Sequence, residues 1–144
     1  VRITILRFEN QINEKKIDVD IEFENENEFV FADKDAISQV MTNLIDNAIK
    51  FNFEGGYIKI KVLRASGGKV DISVENSGIG ITPEEISHVF ERFYKSDKSR
   101  SYDKNGMGLG LFMVHSILAN HGEKILVESE KDRWARFKFK LKKA

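Results

Sequence analysis

The 144-residue chain has no cysteine, which excludes disulfides and thiolate metal sites alike. It has no net charge either, with 23 basic residues against 23 acidic ones. That balance gives no electrostatic case for nucleic acid or a membrane surface as the main partner. No apolar run approaches the length of a membrane span, and no signal-peptide pattern opens the chain. Proline occurs once, at Pro83, where a helix is expected to begin. What remains, 41% hydrophobic and 32% charged residues, suits one globular domain with a single core. The chain opens at Val1 rather than at a methionine, and is read as a piece excised from a longer protein.

Residues 1–13 carry apolar positions at Ile3, Leu6 and Ile12 and are expected to form a short helix or the tail of a longer one. "KIDVDIEF" alternates apolar and polar residues, the period of a strand with one buried face, and "EFVFA" is a shorter strand candidate. From Asp33 the period becomes helical, with Ile37, Val40, Met41, Leu44, Ile45 and Ala48 in one stripe. Asp33 or Asp35 caps its start, and "FEGG" ends it. "YIKIKV" and "VDISVE" are joined by a glycine-rich turn, "EEISHVFERFY" is wholly or partly helical, and residues 95–105 lack any apolar period and read as a mobile loop. A helix from Leu109 to about Asn120 follows, then the strands "KILVES" and "RWARFKFKL". The expected fold is α+β, a two-layer α/β sandwich with a mixed sheet of about five strands packed against about three helices.

Three places carry residues that these patterns leave unexplained. On the helix that begins after Asp33, Asn43, Asn47 and Lys50 fall within an arc of roughly 60°, away from the apolar stripe. Mid-helix asparagine is a poor choice for a merely solvated face. An amide oxygen is, however, a good ligand for Mg²⁺, and a lysine one turn away suits phosphate. After a strand ending at Glu75, "NSGIGI" places Asn76 beside Gly78 and Gly80, where backbone can approach closely and an amide can address a ring edge. A bare turn explains the same residues. In "NGMGLGL", glycines at Gly106, Gly108 and Gly110 open a helix whose N–H groups suit an anion, although a tight loop-to-helix junction has the same composition. Neither a P-loop nor a dinucleotide fingerprint is present.

Taken together and in this order, the motifs resemble the catalytic, ATP-binding domain of sensor histidine kinases, in the superfamily that also holds gyrase-like ATPases. "NLIDNAIKF" looks like the N box, "NSGIGI" the first glycine box, "FERFYKSD" the F box and "NGMGLGL" the second glycine box. The resemblance implies a Bergerat-type ATP-binding fold over residues 1–144, with residues 95–108 as the ATP lid and 1–14 as the remnant of a preceding helix or linker. It implies that Asn47 binds Mg²⁺, that Asn43 positions metal or phosphate, that Lys50 contacts phosphate and that Phe51 packs near the nucleotide. Gly78, Gly80 and Ile81 would shape the adenine pocket. Lys95, and less directly Arg92, would reach the γ-phosphate, while Phe90 and Phe93 would anchor the lid on apolar surface. Gly106, Gly108, Leu109, Gly110 and Leu111 would form the lid hinge and the phosphate-facing helix start. Catalysis is assigned to Asn43, Lys50 and Lys95.

One residue departs from the family pattern. The first glycine box usually presents an aspartate to the adenine amino group, and here that position is Asn76, whose hydrogen bond is not charge-assisted. At Asn43 the gyrase-like hydrolases carry a glutamate that activates water. An amide lacks the basicity for that task, so phosphoryl transfer to another nucleophile is expected over hydrolysis. By resemblance that nucleophile is a histidine on a separate helical dimerisation domain, with a response regulator as the indirect partner. His88, His115 and His121 lack the acceptor setting, so the acceptor domain is absent from this chain. The implied location is a cytoplasmic domain of a membrane-anchored bacterial sensor protein, without direct membrane contact. Two other readings stay open: an anti-sigma-type serine kinase, and a nucleotide-binding regulatory module without transfer activity.

Overall fold

The computed structural model describes residues 1–26, 28–95 and 109–144. Two short helices, α1 (Arg2–Arg7) and α2 (Glu9–Glu14), lead into β1 (Asp18–Phe23) and the two-residue β2 (Val30–Phe31). Helix α3 (Lys34–Lys50) follows, then the hairpin of β3 (Tyr57–Ala65) and β4 (Lys69–Ser77). After α4 (Pro83–Ile86) come α5 (Gly110–Asn120) and a second hairpin, β5 (Leu126–Glu130) with β6 (Trp134–Lys143). The six strands form one mixed sheet in the order β1-β3-β4-β6-β2, with β5 also on β6. β1 runs parallel to β3 and the other pairings are antiparallel. β5 pairs with residues 134–138 of β6 and β2 with 142–143, so these two short strands share one edge. The expected five-strand sheet is thus five ranks built from six strands.

Helix α3 forms where its sequence stripe predicts. The Asp33 carboxylate accepts from the Ala36 N–H at 3.0 Å and caps the start. Val40, Leu44, Ile45 and Ala48 lie buried against Ile58, Ile60, Val70, Val74, Phe137 and Phe139 of the sheet and Val114 and Leu118 of α5. The C-terminal end is held from outside: the Lys15 ammonium donates to the Ile49 carbonyl at 2.7 Å and to the Lys50 carbonyl at 2.9 Å. These are two of the carbonyls that a helix end leaves without an internal partner.

Ile3 and Leu6 do not face the core; they are 70% and 66% exposed. The inward residues are Val1, Ile5, Phe8 and Ile12, whose 4-3-4 spacing keeps them on one helical face, whereas the six-position step from Leu6 to Ile12 carries that pair to different faces. "EEISHVFERFY" is partly helical, its first residues lying in Pro83–Ile86, where Pro83 occupies the first turn and the Thr82 hydroxyl accepts from the Glu85 N–H. Beyond that turn the chain bends repeatedly, and Phe93 adopts φ +65°.

The sheet face away from the helices carries charge in columns. β1 contributes Asp18, Asp20 and Glu22; β3 Lys59 and Lys61; β4 Asp71 and Glu75; β6 Arg136, Lys138 and Lys140; β5 Glu128 and Glu130. Neighbouring columns have opposite sign, as in Arg136–Glu75 at 3.1 Å and Lys138–Glu128 at 2.8 Å. The Tyr57 hydroxyl donates to Glu75 at 2.8 Å, and burial together with this carboxylate pushes its pKa up to about 12. A face whose charges are matched within the sheet is built for water. The chemistry is to be sought on the helix side.

Candidate functional site

Asn43, Asn47 and Lys50 project half-buried from α3, on the arc that the helical period predicts. Each end of this arc meets a glycine segment. At one end the Asn43 amide donates to the Gly110 carbonyl at 3.3 Å and accepts from the Gln39 amide at 3.1 Å. A Cβ on Gly110 would lie 3.9 Å from the Asn43 side chain, so α3 and the first turn of α5 are in direct contact. At the other end the Ile79 N–H donates to the Phe51 carbonyl at 3.2 Å, joining the end of α3 to the turn after β4.

The glycines of that turn admit the protein's own backbone. Gly78 has φ +148°, and a Cβ there would lie 2.0 Å from the Phe51 carbonyl oxygen; at Gly80, φ +66°, it would lie 2.4 Å from the Glu130 oxygen. Close approach was the reading of both positions in the sequence, and the partner is the chain itself. On the far side the Gly78 N–H donates to the Arg133 carbonyl at 3.1 Å, and the Ile81 N–H to the Ser129 hydroxyl at 2.7 Å. The turn is clamped between the end of α3 and the β5–β6 hairpin.

Asn76 continues the inward row of β4 after Val70, Ile72 and Val74 and is 5% exposed. Its Nδ2 donates to the Ser77 carbonyl at 2.7 Å, leaving Oδ1 as the side-chain acceptor. Lys50 pairs with Asp46 at 2.9 Å, so a phosphate must compete with that carboxylate, and Asp46 serves the lysine rather than standing free as a base. Arg92 lays its guanidinium over the Phe112 ring of α5 at 4.7 Å, beside the helix start. Lys95 is half-buried at the end of its described segment. Leu109 and Leu111 are half-buried around the start of α5. Gly106 and Gly108, and with them the expected lid apart from Lys95, lie outside the described residues.

The two F-box phenylalanines separate. Phe90 packs on the core, edge-on to Phe137 at 6.1 Å and against His115 at 5.9 Å. Phe93 is 60% exposed, which corrects the expectation that it is packed into apolar surface. His121 accepts from the Asp33 N–H at Nε2 and bonds the Ile117 carbonyl through Nδ1, tying the end of α5 to the start of α3. Beside the site, two buried polar side chains escaped the sequence reading, Asn52 and Ser77, 1% and 8% exposed. Asn52 follows the N-box stretch and Ser77 lies within the first glycine box, and no period distinguishes a buried polar group from an exposed one.

A family model described as "Histidine kinase-, DNA gyrase B-, and HSP90-like ATPase" matches residues 32–144. The chain belongs to this family. Its members similar to the chain include the sensor protein SrrB of Staphylococcus aureus, 40% identical over 111 residues, which are 77% of this chain and 19% of that protein. The chain therefore spans about a fifth of the length of the curated relatives it matches. Among solved structures, the catalytic domain of histidine kinase ThkA superposes with a TM-score of 0.85 at 35% identity, covering 99% of this chain and 89% of that one. Full-length ShkA in complex with AMPPNP gives 0.85 at 27% identity, covering 99% and 29%. ThkA in complex with the response regulator TrrA gives 0.81 at 33% identity, covering 99% and 39%. The mixed α+β architecture expected from the sequence is that of the catalytic domains of histidine kinases.

Proposed function

We propose that the chain binds Mg-ATP between α3 and the two glycine segments and donates the γ-phosphoryl group to a histidine on a separate helical dimerisation domain. The observation that carries this reading is the convergence on one face of α3: Asn43 meets Gly110 at one end, and Phe51 meets the Asn76–Ile81 turn at the other. ShkA in complex with AMPPNP and ThkA in complex with TrrA support a nucleotide ligand and a response-regulator partner for this kind of domain. A cytoplasmic domain of a membrane-anchored sensor suits those relatives; no helix among the described residues is long and apolar enough to cross a membrane.

In this reading Asn76 accepts from the adenine amino group, and Gly78, Gly80 and Ile81 shape the pocket around the base. Phe51 packs near the nucleotide. Lys50, Lys95 and Arg92 face the phosphates, and Gly106, Gly108, Leu109, Gly110 and Leu111 form the lid hinge and helix start. Among the described residues no cluster of three His, Asp or Glu side chains could hold a metal. The donor set suits a hard cation that the Asn47 amide oxygen would hold from the protein side, with Asn43 alongside. Such an ion supplies charge neutralisation between the phosphates. The acceptor nitrogen attacks the γ-phosphorus as the bond to the ADP oxygen breaks. Asn43 orients rather than abstracts a proton, and catalysis rests on positioning and charge.

Calorimetric titration with AMPPNP, with and without Mg²⁺, tests the site. Binding by the wild type should tighten with Mg²⁺, and Asn47→Ala should lose that gain while keeping most metal-free affinity. An unchanged Mg²⁺ dependence removes Asn47 from the metal. Labelling with ATP and an isolated helical acceptor domain should give an acid-labile phosphohistidine; an acid-stable product points to a serine kinase instead.

A further inference from the structure

A closed ring of hydrogen bonds lies under the turn that carries Asn76. The Tyr57 N–H donates to the Ser77 hydroxyl oxygen at 2.8 Å, which obliges that hydroxyl to send its own proton elsewhere. It donates to Asn52 Oδ1 at 2.6 Å, and Asn52 Nδ2 returns to the Tyr57 carbonyl at 2.9 Å. Every donor in the ring has an acceptor, and the direction of each bond follows from the one before it. Asn52 is 1% exposed and Ser77 8%, so water does not compete. The ring ties three separate elements, the chain just past α3, the start of β3 and the end of β4, at the residue next to Asn76.

Ser77 also offers its carbonyl to Asn76 Nδ2 at 2.7 Å. A free asparagine amide can turn over and present either its oxygen or its NH₂ group. Here turning would set the Asn76 oxygen against the Ser77 carbonyl oxygen, two acceptors with no proton between them. The position of the Ser77 carbonyl thus decides which end of the amide is offered to a ligand, and the ring, together with the β4–β6 pairing, holds that carbonyl in place.

We propose that Asn52 is a positioning residue for base selection: through Ser77 it locks the Asn76 amide with Oδ1 outward, so that the site takes 6-aminopurine nucleotides and rejects 6-oxopurine ones. This rests on the nucleotide reading above. An aspartate at this position offers an acceptor in either orientation, whereas an asparagine discriminates only if its flip is prevented. A 6-oxopurine presents an acceptor to the locked oxygen, and a flipped amide would welcome it.

The test compares the β,γ-imido analogues of ATP and ITP by calorimetry on the full chain, at a temperature well below melting as checked by circular dichroism. The wild type should prefer the adenine analogue by about tenfold, about one hydrogen bond's worth of affinity. Asn52→Leu, close in size but unable to close the ring, should reduce that preference to about twofold, with ITP-analogue binding becoming tighter. A purely structural role for Asn52 weakens both ligands or neither, and does not improve one of them. Ser77→Ala breaks the same ring from the other side and should give the same change, which covers the case in which Asn52→Leu does not fold. Equal affinities in the wild type, or an unchanged preference in either folded variant, overturn the lock while leaving nucleotide binding intact. Failure of the wild type to bind either analogue overturns the nucleotide reading, and the lock with it.

Discussion

Replacing Asn76 by aspartate restores the residue usual at this position of the first glycine box, and the structure indicates two opposed consequences. In the ligand-free protein the change removes a donor from the Ser77 carbonyl and sets a carboxylate oxygen where Nδ2 lay 2.7 Å away. With Asn76 only 5% exposed, little water can take over that bond. A buried polar group left without its partner costs about 1–3 kcal/mol. For a domain of this size each kcal/mol moves the melting temperature by roughly 2–4 °C, so Asn76→Asp should melt roughly 2–12 °C below the wild type. In the proposed nucleotide complex the carboxylate would accept a charge-assisted hydrogen bond from the adenine amino group, stronger than the neutral one by about 1 kcal/mol. That difference tightens binding by about fivefold. Differential scanning fluorimetry on the ligand-free protein and calorimetry with AMPPNP should therefore move in opposite senses, lower melting with stronger binding. A variant with an unaltered dissociation constant places Asn76 away from the amino group. One that melts with the wild type shows that the Ser77 bond contributes nothing to the ligand-free fold.

Three further outcomes follow from the packing and the charges. Leu44 is 1% exposed in the centre of the α3–sheet interface, so Leu44→Ala should cost about 2–5 kcal/mol, read as a lower urea midpoint with an unchanged slope. Lys15→Met should cost about 1–2 kcal/mol by removing the ammonium donor from the Lys50 carbonyl and leaving the Ile49 carbonyl only the Asn52 N–H at 3.3 Å, and faster hydrogen exchange in the last turn of α3 should accompany the lower melting temperature. Glu28 lies between Lys143 at 2.8 Å and Arg64 at 3.6 Å, and the hydrogen bond to Lys143, more than any other contact, holds its carboxyl below the ordinary value. A depressed folded-state pKa stabilises above the unfolded value of 4.5 and is lost as pH falls through the lower folded value. Glu28→Gln should therefore lower the melting temperature at neutral pH and flatten its decline below pH 4.5; an equally steep decline in the variant rules out this carboxylate as its source.

Much of the molecule was legible from local pattern. A 3.6-residue period is a direct record of which helix face meets the core, so the α3 stripe from Ile37 to Ala48 and the Asn43–Asn47–Lys50 arc could be read before any tertiary contact was known. The alternating rows of β1, β3, β4 and β6 were readable for the same reason. Where the local period was short or broken, it misled. Ile3 and Leu6 are as apolar as their neighbours, yet the 4-3-4 set of Val1, Ile5, Phe8 and Ile12 is the one that packs on the core. Phe90 and Phe93 are equally apolar, and only the bend after α4 sends one to Phe137 and the other to solvent.

The pairings that make the site depend on contacts between residues distant along the chain. Asn43 reaches Gly110 across 67 positions, Lys15 reaches the end of α3 across 34, and Ser77 reaches Asn52 across 25. Such bonds arise because the sheet order brings particular strand and helix ends side by side. A polar residue beside a turn carries no mark, in its own stretch of sequence, of the partner that will satisfy it. Composition and period establish that α3 has a polar amide face. Folding alone brings Gly110 and the Gly78–Gly80 turn onto its ends and sets the ring beneath Asn76, because a buried donor must find its acceptor among groups that the chain order keeps apart.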